Sequence, residues 1–287
     1  MLNINTNYAA AFATNAAKKT TASIETAMER LSTGSRINYS RDDAAGLAIA
    51  TRLNSEVQSL SAASRNAADA QSMLDTTDGA LAETHSVLIR MRELAVQAAN
   101  GTLDNTDRAA LDAEFQQLES EIDRINSNTS FAGVSLFDGS AKTFHIGSGN
   151  AASDKVSHTF TSLASHNLDL DSAGPNNVVG GATADDVVRD LTSAANAQTM
   201  LGEIDTAIAT VSTERGKLGA LSNRLSSTVA NLDQIGVNLS SSKGRIQDAD
   251  FAAETSNLAK GQILQQAATA MLAQANASKQ NVLALVR

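Results

Sequence analysis

The sequence predicts a mainly α fold: an elongated helical coiled-coil rod formed by N- and C-terminal segments, with a small β-hairpin region in the middle of the chain. Three observations lead to this prediction. Apolar residues recur every seven positions on both sides of the middle, as in coiled coils. The middle is richer in Gly, Ser and Asn and shows patches with a period of two. Both ends carry apolar stripes with almost no charge.

The N-terminal helix predicted by this pattern has an apolar stripe but few large side chains. The stripe consists of Ile4, Tyr8, Phe12, Ile24, Met28 and Leu31. The surrounding residues are mainly Ala, Asn and Thr, so a helix of this kind is marginal unless a partner covers the stripe. We expect neighbouring copies of the chain to supply part of that cover.

A connector follows this helix, in the stretch RLSTGSRINYSRDDAAGLAIA. Gly34 and the Ser and Thr around it are expected to end the first helix. Asp42 and Asp43 then lie near the start of the next helix, where negative charge favours the helix dipole.

Three helices with heptad or near-heptad patterns are predicted to form the rod. The first has two rows, Leu53, Leu60, Ala67, Leu74, Leu81, Leu88 and Ala95, and Ala63, Ala70, Thr77, Thr84, Met91 and Ala98. The second has Leu111, Phe115, Leu118, Ile122 and Ile125, and the third has Ile204, Val211, Leu218, Leu225, Leu232 and Leu239. Between the first two, Gly101 is expected to be a C-terminal cap and Thr106 or Asp107 an N-terminal cap.

Residues 131–187 change character and are predicted to form two or three short hairpins and loops. Period-two patches occur in KTFHIG and DKVSHTFTSL, on either side of the turn-like SGNAAS. After the third rod helix, Ser240–Ser242 and Gly244 are expected to break the helix before the last one begins. The last helix carries another seam of small and apolar residues, Leu264, Ala268, Met271, Ala275, Ser278, Val282 and Leu285.

Composition excludes several classes of function. The net charge of −9 argues against nucleic acid and anionic membranes as partners, and no run of residues approaches transmembrane length, which argues against membrane insertion. The chain has no Cys, so disulfides and thiolate metal sites are excluded. Its N-terminus lacks a basic segment before an apolar one, and we expect no cleaved secretory signal there.

No arrangement of polar residues indicates catalysis or a cofactor. The four histidines are scattered and lack the spacing of metal ligands. Asp248 and Asp250 resemble a carboxylate pair, but we interpret them as charges at a helix start. We therefore expect no enzymatic activity, no metal and no cofactor.

Five long motifs follow one another over essentially the whole chain: ERLSTGSRINYSRDDAAGLAIATRL, RNAADAQSMLDTTDGALAE, RMRELAVQAANGT, EIDRINSNTSFAGVSLFDG and NVLALVR. In sequence and in order, these motifs resemble bacterial flagellin. The resemblance implies a structural subunit that polymerises into the flagellar filament, the helical propeller for swimming motility. It assigns residues 1–40 and 245–287 to a terminal inner-tube domain, 41–130 and 188–244 to the coiled-coil rod, and 131–187 to an exposed hairpin and loop region.

The same resemblance implies a set of partners and a location outside the cell. Flagellins are exported unfolded by a type III apparatus through an export gate, and an export chaperone holds the C-terminal helix. They then fold on assembly beneath a cap, next to hook-junction proteins, and are secreted to the extracellular filament. The chain itself is the main partner, in a helical homopolymer whose self-assembly residues are the two terminal stripes.

Host innate immune receptors are further partners that the resemblance implies. Residues 29–50 resemble the flagellin peptide sensed by plants, with departures at Glu29, Tyr39, Ser40, Arg41 and Ala48. Arg90, Leu94 and Glu114 match a patch bound by the flagellin-sensing Toll-like receptor of animals. Because Leu88, Met91 and Ala95 occupy the seam, Arg90 and Leu94 are expected to face away from it and to contact neighbouring subunits.

Two other functions remain open at this point. A hook–filament junction protein shares similar terminal motifs with flagellin. A soluble coiled-coil adaptor or a secreted interaction protein is the alternative from a different class, and a stable monomer at high concentration would favour it.

Overall fold

The computed structural model describes residues 6–168, 170 and 190–285. Within them, the helices are α1 (Tyr8–Thr33), α2 (Ala44–Ala98), α3 (Asn105–Asn128), α4 (Ala194–Gln247) and α5 (Phe251–Leu285). The strands are β1 (Ser130–Phe131), β2 (Val134–Ser135), β3 (Ala141–His145) and β4 (Lys155–Thr159). The predicted mainly α fold with a small antiparallel β region in the middle is confirmed.

Two compact units divide the chain. The terminal unit consists of residues 1–58 and 236–287, and the central unit consists of residues 59–235. Helices α2 and α4 each contribute residues to both units.

The first connector has the predicted chemistry. Helix α1 ends at Thr33, and Gly34 follows with φ of 70°, a left-handed conformation that glycine adopts without a steric cost. Its N–H donates to Arg30 O at 2.9 Å. Asp43 lies directly before α2, and its Oδ1 accepts from Gly46 N at 2.8 Å, so Asp43 caps the helix.

Both predicted heptad rows of α2 are buried along their whole length. A third row, which the sequence analysis did not predict, lies beside them at the same spacing. Its members are buried or half-buried: Met73, Ala80, Val87 and Leu94. The extra row is covered because α2 shares its core with α3 and with the middle of the chain as well as with α4.

The core of the central unit is formed by residues of α2, α3 and α4 together with residues of the middle of the chain. Helix α3 contributes Phe115 and Ile122, both 0% exposed, and α4 contributes the predicted row from Ile204 to Leu225. The middle of the chain adds eight buried apolar side chains: Leu136, Phe137, Ile146, Val156, Phe160, Leu163, Leu168 and Leu170. This segment therefore contributes to the core as well as to the surface.

Strands β3 and β4 form an antiparallel hairpin whose register runs from Ala141 opposite Thr159 to His145 opposite Lys155. One carboxylate and one amide of α3 bind the segment that follows this hairpin. Asp123 accepts from the backbone and the hydroxyl of Ser165 at 2.8 and 3.0 Å, and Asn126 Oδ1 accepts from Leu163 N at 2.9 Å.

The junction between α2 and α3 differs from the prediction. Gly101 does not adopt a left-handed conformation, and the N-cap of α3 is Asp104 rather than Thr106 or Asp107. Asp104 accepts from Asp107 N at 2.8 Å, a bond that only a residue before the first turn can make. Arg108, rather than a glycine, caps the end of α2. Its guanidinium donates to the backbone oxygens of Ala98 and Asn100, both at 2.9 Å.

Arg108→Ala is expected to lower the free energy of unfolding by about 1–3 kcal/mol. Arg108 is 7% exposed, and its loss leaves carbonyl groups at the end of α2 without their donors. Arg124→Ala on the same helix is the matched control. Arg124 is 59% exposed, and its ion pair in the described part of the chain is with Glu121, so a much smaller change is expected. Urea unfolding followed by circular dichroism measures both, and equal effects would contradict the capping role.

The second connector also lies elsewhere than predicted. Helix α4 continues through Ser240–Ser242 and Gly244 and ends at Gln247. The prediction of a break at these residues was wrong. Inside a helix, Ser or Gly lowers the stability by only about 1 kcal/mol or less relative to Ala, and contacts with neighbouring residues offset this loss. One such contact is Lys243 Nζ to Asn54 Oδ1 at 2.9 Å. Asp250 then caps α5 by accepting from the backbone of residues 252 and 253, as its interpretation as a helix-start charge predicts.

Candidate assembly surface

Helices α1 and α5 pack side by side and antiparallel in the terminal unit. The contacts run in opposite directions along the two helices, from Asn7 Nδ2 donating to Ala275 O at 3.2 Å, to Arg30 Nη1 lying 3.6 Å from Glu254 Oε1. At Gly261 the helices approach closely, since a Cβ there would lie 2.7 Å from Ile24 Cγ1. The pair therefore needs glycine at this position.

Backbone hydrogen bonds join the two connectors. Ser35 and Asp248 form an antiparallel bridge, with Arg36 N donating to Gln247 O at 2.7 Å and Ala249 N donating to Gly34 O at 2.9 Å. These bonds fix the end of α1 next to the start of α5. Helices α1 and α5 consequently form a hairpin with a defined register.

Most of the predicted self-assembly side chains are exposed on this hairpin. Ile24 is buried at 8% exposure and Leu31 is half-buried. The others that the structure describes are exposed: Tyr8 (70%), Phe12 (79%), Met28 (51%), Leu264 (47%) and Met271 (65%). Ile4 and the side chains of Val282 and Leu285 lie outside the described residues.

Two large exposed apolar side chains of α5 were missed by the sequence analysis. Phe251 and Ile263 are each 66% exposed. Phe251 is the first residue of α5, and Ile263 precedes the predicted seam residue Leu264, so a seven-residue repeat selects neither of them. The signal that could have identified them was that each is a large apolar residue in a helix of mainly small and polar ones, whether or not it fits the repeat.

The structure places the three residues of the predicted receptor patch in two different environments. Arg90 Nε and Nη2 donate to Glu114 Oε1 at 3.0 and 2.8 Å, and both side chains are about half exposed. Leu94 is 1% exposed, so the expectation that it lies on a face open to neighbouring subunits was wrong. It belongs to the third buried row of α2, which the two-row seam did not include.

Two arginines on the surface of the central unit, Arg90 and Arg92, form ion pairs. Hydrogen bonds to Glu114 and Glu93 raise the pKa of Arg90 above its usual value. Arg92 donates to Asp205 Oδ1 at 2.6 Å, and this bond lowers the pKa of the Asp205 carboxyl. Arg90 and the Asp205 carboxyl therefore stay charged at neutral pH.

The described residues contain no cluster of side chains suited to metal binding. No group of three His, Cys, Asp or Glu side chains that could hold a metal ion occurs in this part of the chain. His158 Nε2 lies 3.0 Å from Glu214 Oε1, a contact that joins β4 to α4. None of the helices that the structure describes combines the length and apolar character needed to cross a bilayer.

Comparison with known families accounts for this architecture. The model of the bacterial flagellin N-terminal helical region matches residues 4–142, and the model of the bacterial flagellin C-terminal helical region matches residues 201–286. The chain belongs to the bacterial flagellin family. As a flagellin, it is a structural subunit of the bacterial flagellar filament.

Relatives of this flagellin match it over nearly its whole length. A flagellin of Halalkalibacterium halodurans is 42% identical over 261 residues and covers 91% of each chain. A flagellin of Bacillus subtilis is 39% identical, with full coverage of both chains. A solved structure of a putative flagellar hook-associated protein from Vibrio parahaemolyticus has a TM-score of 0.58 at 17% identity, covers 72% of this chain and all of the other, and shows similarity of fold alone.

Proposed function

We propose that this flagellin polymerises through the exposed apolar face of the α1–α5 hairpin. The observation that carries this proposal is the exposure of Tyr8, Phe12 and Met271, each at least 65% accessible in the single chain. Large apolar side chains grouped in this way mark protein–protein interaction surfaces. Their burial by neighbouring copies supplies the free energy of assembly.

Ordering of the terminal segments accompanies polymerisation in this proposal. The helices at both ends are rich in small side chains, so a single hairpin buries little apolar surface. Fixing each residue costs about 1–2 kcal/mol of conformational entropy, which contacts with several neighbours offset. A chain of this kind is readily kept unfolded, and this supports export in unfolded form by a type III apparatus and folding on assembly.

The remaining partners follow from the same proposal. An export chaperone covers α5 before export, the chain passes the export gate, and it joins the filament outside the cell between the hook-junction proteins and the cap. Rotation of the extracellular filament then produces swimming thrust. The acidic net charge of −9 supports a chain without nucleic-acid or membrane partners, and we assign it no enzymatic activity.

Host receptors are a second class of partner. Arg90 and Glu114 supply an exposed ion pair that such a receptor could contact. Leu94 is buried and acts only by supporting the helix beneath that pair. The proposal therefore limits the direct contact to the two charged side chains.

Electron microscopy of the purified chain after seeding tests the proposed function. Long tubular filaments are expected from the intact protein, with no assembly by a copy lacking residues 1–40 and 245–287. An intact chain that stays monomeric at high concentration, with fully helical ends in circular dichroism, would favour the junction protein or the adaptor instead.

A further inference from the structure

Asn100 is the one asparagine of the chain that a glycine follows. It lies in the turn between α2 and α3, and both Asn100 and Gly101 are exposed. Glycine has no side chain that would shield its backbone nitrogen from a neighbouring group. The side-chain amide of Asn100 and the backbone N–H of Gly101 are therefore open to reaction with each other.

The conformation of the turn brings these two groups together. Asn100 Oδ1 accepts from Thr102 N at 3.2 Å, so the side-chain amide lies against the backbone that contains Gly101 N. This hydrogen bond also withdraws electrons from the side-chain carbonyl, which makes Asn100 Cγ a better electrophile.

Gly101 N is available as the attacking group. No hydrogen bond of this nitrogen occurs within the part of the chain that the structure describes. The turn is held through the backbone oxygen of Asn100 instead, which accepts from Arg108 Nη2 at 2.9 Å and from Leu103 N at 3.4 Å. Folding of the α2–α3 junction therefore leaves the nucleophile unbound.

Two aspartates that are also followed by glycine lack these properties. Asp78 and Gly79 lie inside α2, where the backbone is part of the helix, and Asp78 Oδ1 accepts from Arg215 Nε at 2.8 Å. A hydrogen bond from Lys142 lowers the pKa of Asp138, and a carboxylate is a much poorer electrophile than a neutral amide. Chemistry and position together select Asn100 among the three pairs.

We propose that Asn100 is a site of spontaneous deamidation in the folded chain, with water as the co-reactant. Gly101 N loses its proton to a base in solution and attacks Asn100 Cγ. The bond between Cγ and Nδ2 then breaks, and Nδ2 takes up a proton and leaves as ammonia. The cyclic imide that remains adds one water molecule, which opens either of its two C–N bonds and gives aspartate or isoaspartate.

The reaction replaces a neutral side chain with a carboxylate and involves no oxidation or reduction. Because the released ammonia is lost to solution, the deamidated fraction of a population of chains rises with its age. The proposal requires the fold of the α2–α3 junction but no assembly, so it stands or falls separately from the proposed function.

Peptide mapping by mass spectrometry tests the proposal on the purified full chain in its folded state. Incubation in water enriched in the heavy oxygen isotope labels each deamidated residue, so every asparagine is followed in one experiment. Asn150 is the internal control, because it is also exposed and outside the helices, but Ala151 follows it and donates its N–H to Asp154 Oδ2 at 3.1 Å.

Gly101→Ala is the matched variant, since it keeps Asn100 and shields the attacking nitrogen. Gly101 has no positive φ, and a Cβ there would meet no atom within 4 Å among the described residues, so alanine fits the turn. Circular dichroism checks that the variant is as helical as the unsubstituted chain.

Asn100 is expected to gain the label at least about tenfold faster than Asn150, and Gly101→Ala is expected to slow it at least about tenfold, because a methyl group crowds the nitrogen. Mildly alkaline buffer is expected to accelerate the reaction, since the attacking nitrogen must lose its proton. Both aspartate and isoaspartate are expected at position 100.

Three results would overturn the proposal. One is labelling of Asn100 that is no faster than that of Asn150, and another is an unchanged rate in Gly101→Ala. The third is labelling of Asn100 that occurs only after the chain is unfolded in urea, because the folded junction would then protect the residue.

Discussion

Replacing Leu94 with Ala is expected to lower the free energy of unfolding by about 2–5 kcal/mol, the cost of removing a buried leucine side chain. Leu94 is 1% exposed and belongs to the core that α2 shares with α3 and the middle of the chain. The substitution leaves a cavity there, while alanine preserves the helix itself. Urea unfolding followed by circular dichroism measures the change.

Ile89→Ala is the matched control on the same helix. Ile89 is 43% exposed and is not part of the core cluster, so its truncation is expected to cost less than about 1 kcal/mol. If Leu94→Ala were as mild as Ile89→Ala, Leu94 would be a surface residue, as the two-row seam first suggested. Because Leu94→Ala is expected to destabilise the fold, its receptor activation should be compared with that of the unsubstituted chain at an equal concentration of folded protein.

Truncating Phe12 and Met271 together is expected to prevent filament formation without unfolding the monomer. Phe12 is 79% exposed and Met271 is 65% exposed, so replacing both with Ala removes few contacts within the chain. In the filament each buried side chain of this size contributes about 1.5–3 kcal/mol. The two side chains together therefore contribute at least about 3 kcal/mol. Since each 1.4 kcal/mol changes an association constant about tenfold, the critical concentration should rise by more than about a hundredfold.

Val134→Ala is the control for this double variant. Val134 is 48% exposed but lies in the central unit. The critical concentration of the Val134→Ala variant is expected to stay within about twofold of that of the unsubstituted chain. Normal filaments from the Phe12 and Met271 variant would contradict the assignment of the hairpin as the assembly surface.

The sequence was sufficient to predict the helices and the residues of α2 that form the seam. Every residue of the two rows from Leu53 to Ala98 is buried, because a seven-residue apolar repeat keeps one face of a helix toward its partner. The hairpin in KTFHIG and DKVSHTFTSL was predictable for a similar reason, since alternation with a period of two is a local property.

Features that depend on distant residues could not be predicted. Leu94 belongs to a buried cluster that also contains residues of α3, α4 and the middle of the chain, and no pattern within α2 indicates that this third row is covered. Asp112 Oδ1 accepts from Leu191 N at 2.9 Å across 79 residues of sequence. Arg108 was missed as a cap because the carbonyl groups it binds belong to the end of the preceding helix and to the turn after it.

The candidate site was predicted as a set of residues but not as a surface. Ile24 and Phe12 belong to the same apolar stripe, yet Ile24 packs against α5 at Gly261 and Phe12 is exposed. A stripe shows only that a helix needs cover. Which part of that cover comes from the same chain depends on the register of the hairpin, which the bridge between Ser35 and Asp248 sets.

The most direct test of the account is a helical reconstruction by cryo-electron microscopy of filaments assembled from the purified, unsubstituted chain. The account predicts that Tyr8, Phe12 and Met271, which are exposed in the single chain, are buried against neighbouring copies. Filaments in which these side chains face solvent, and in which copies meet only through the central unit, would contradict it.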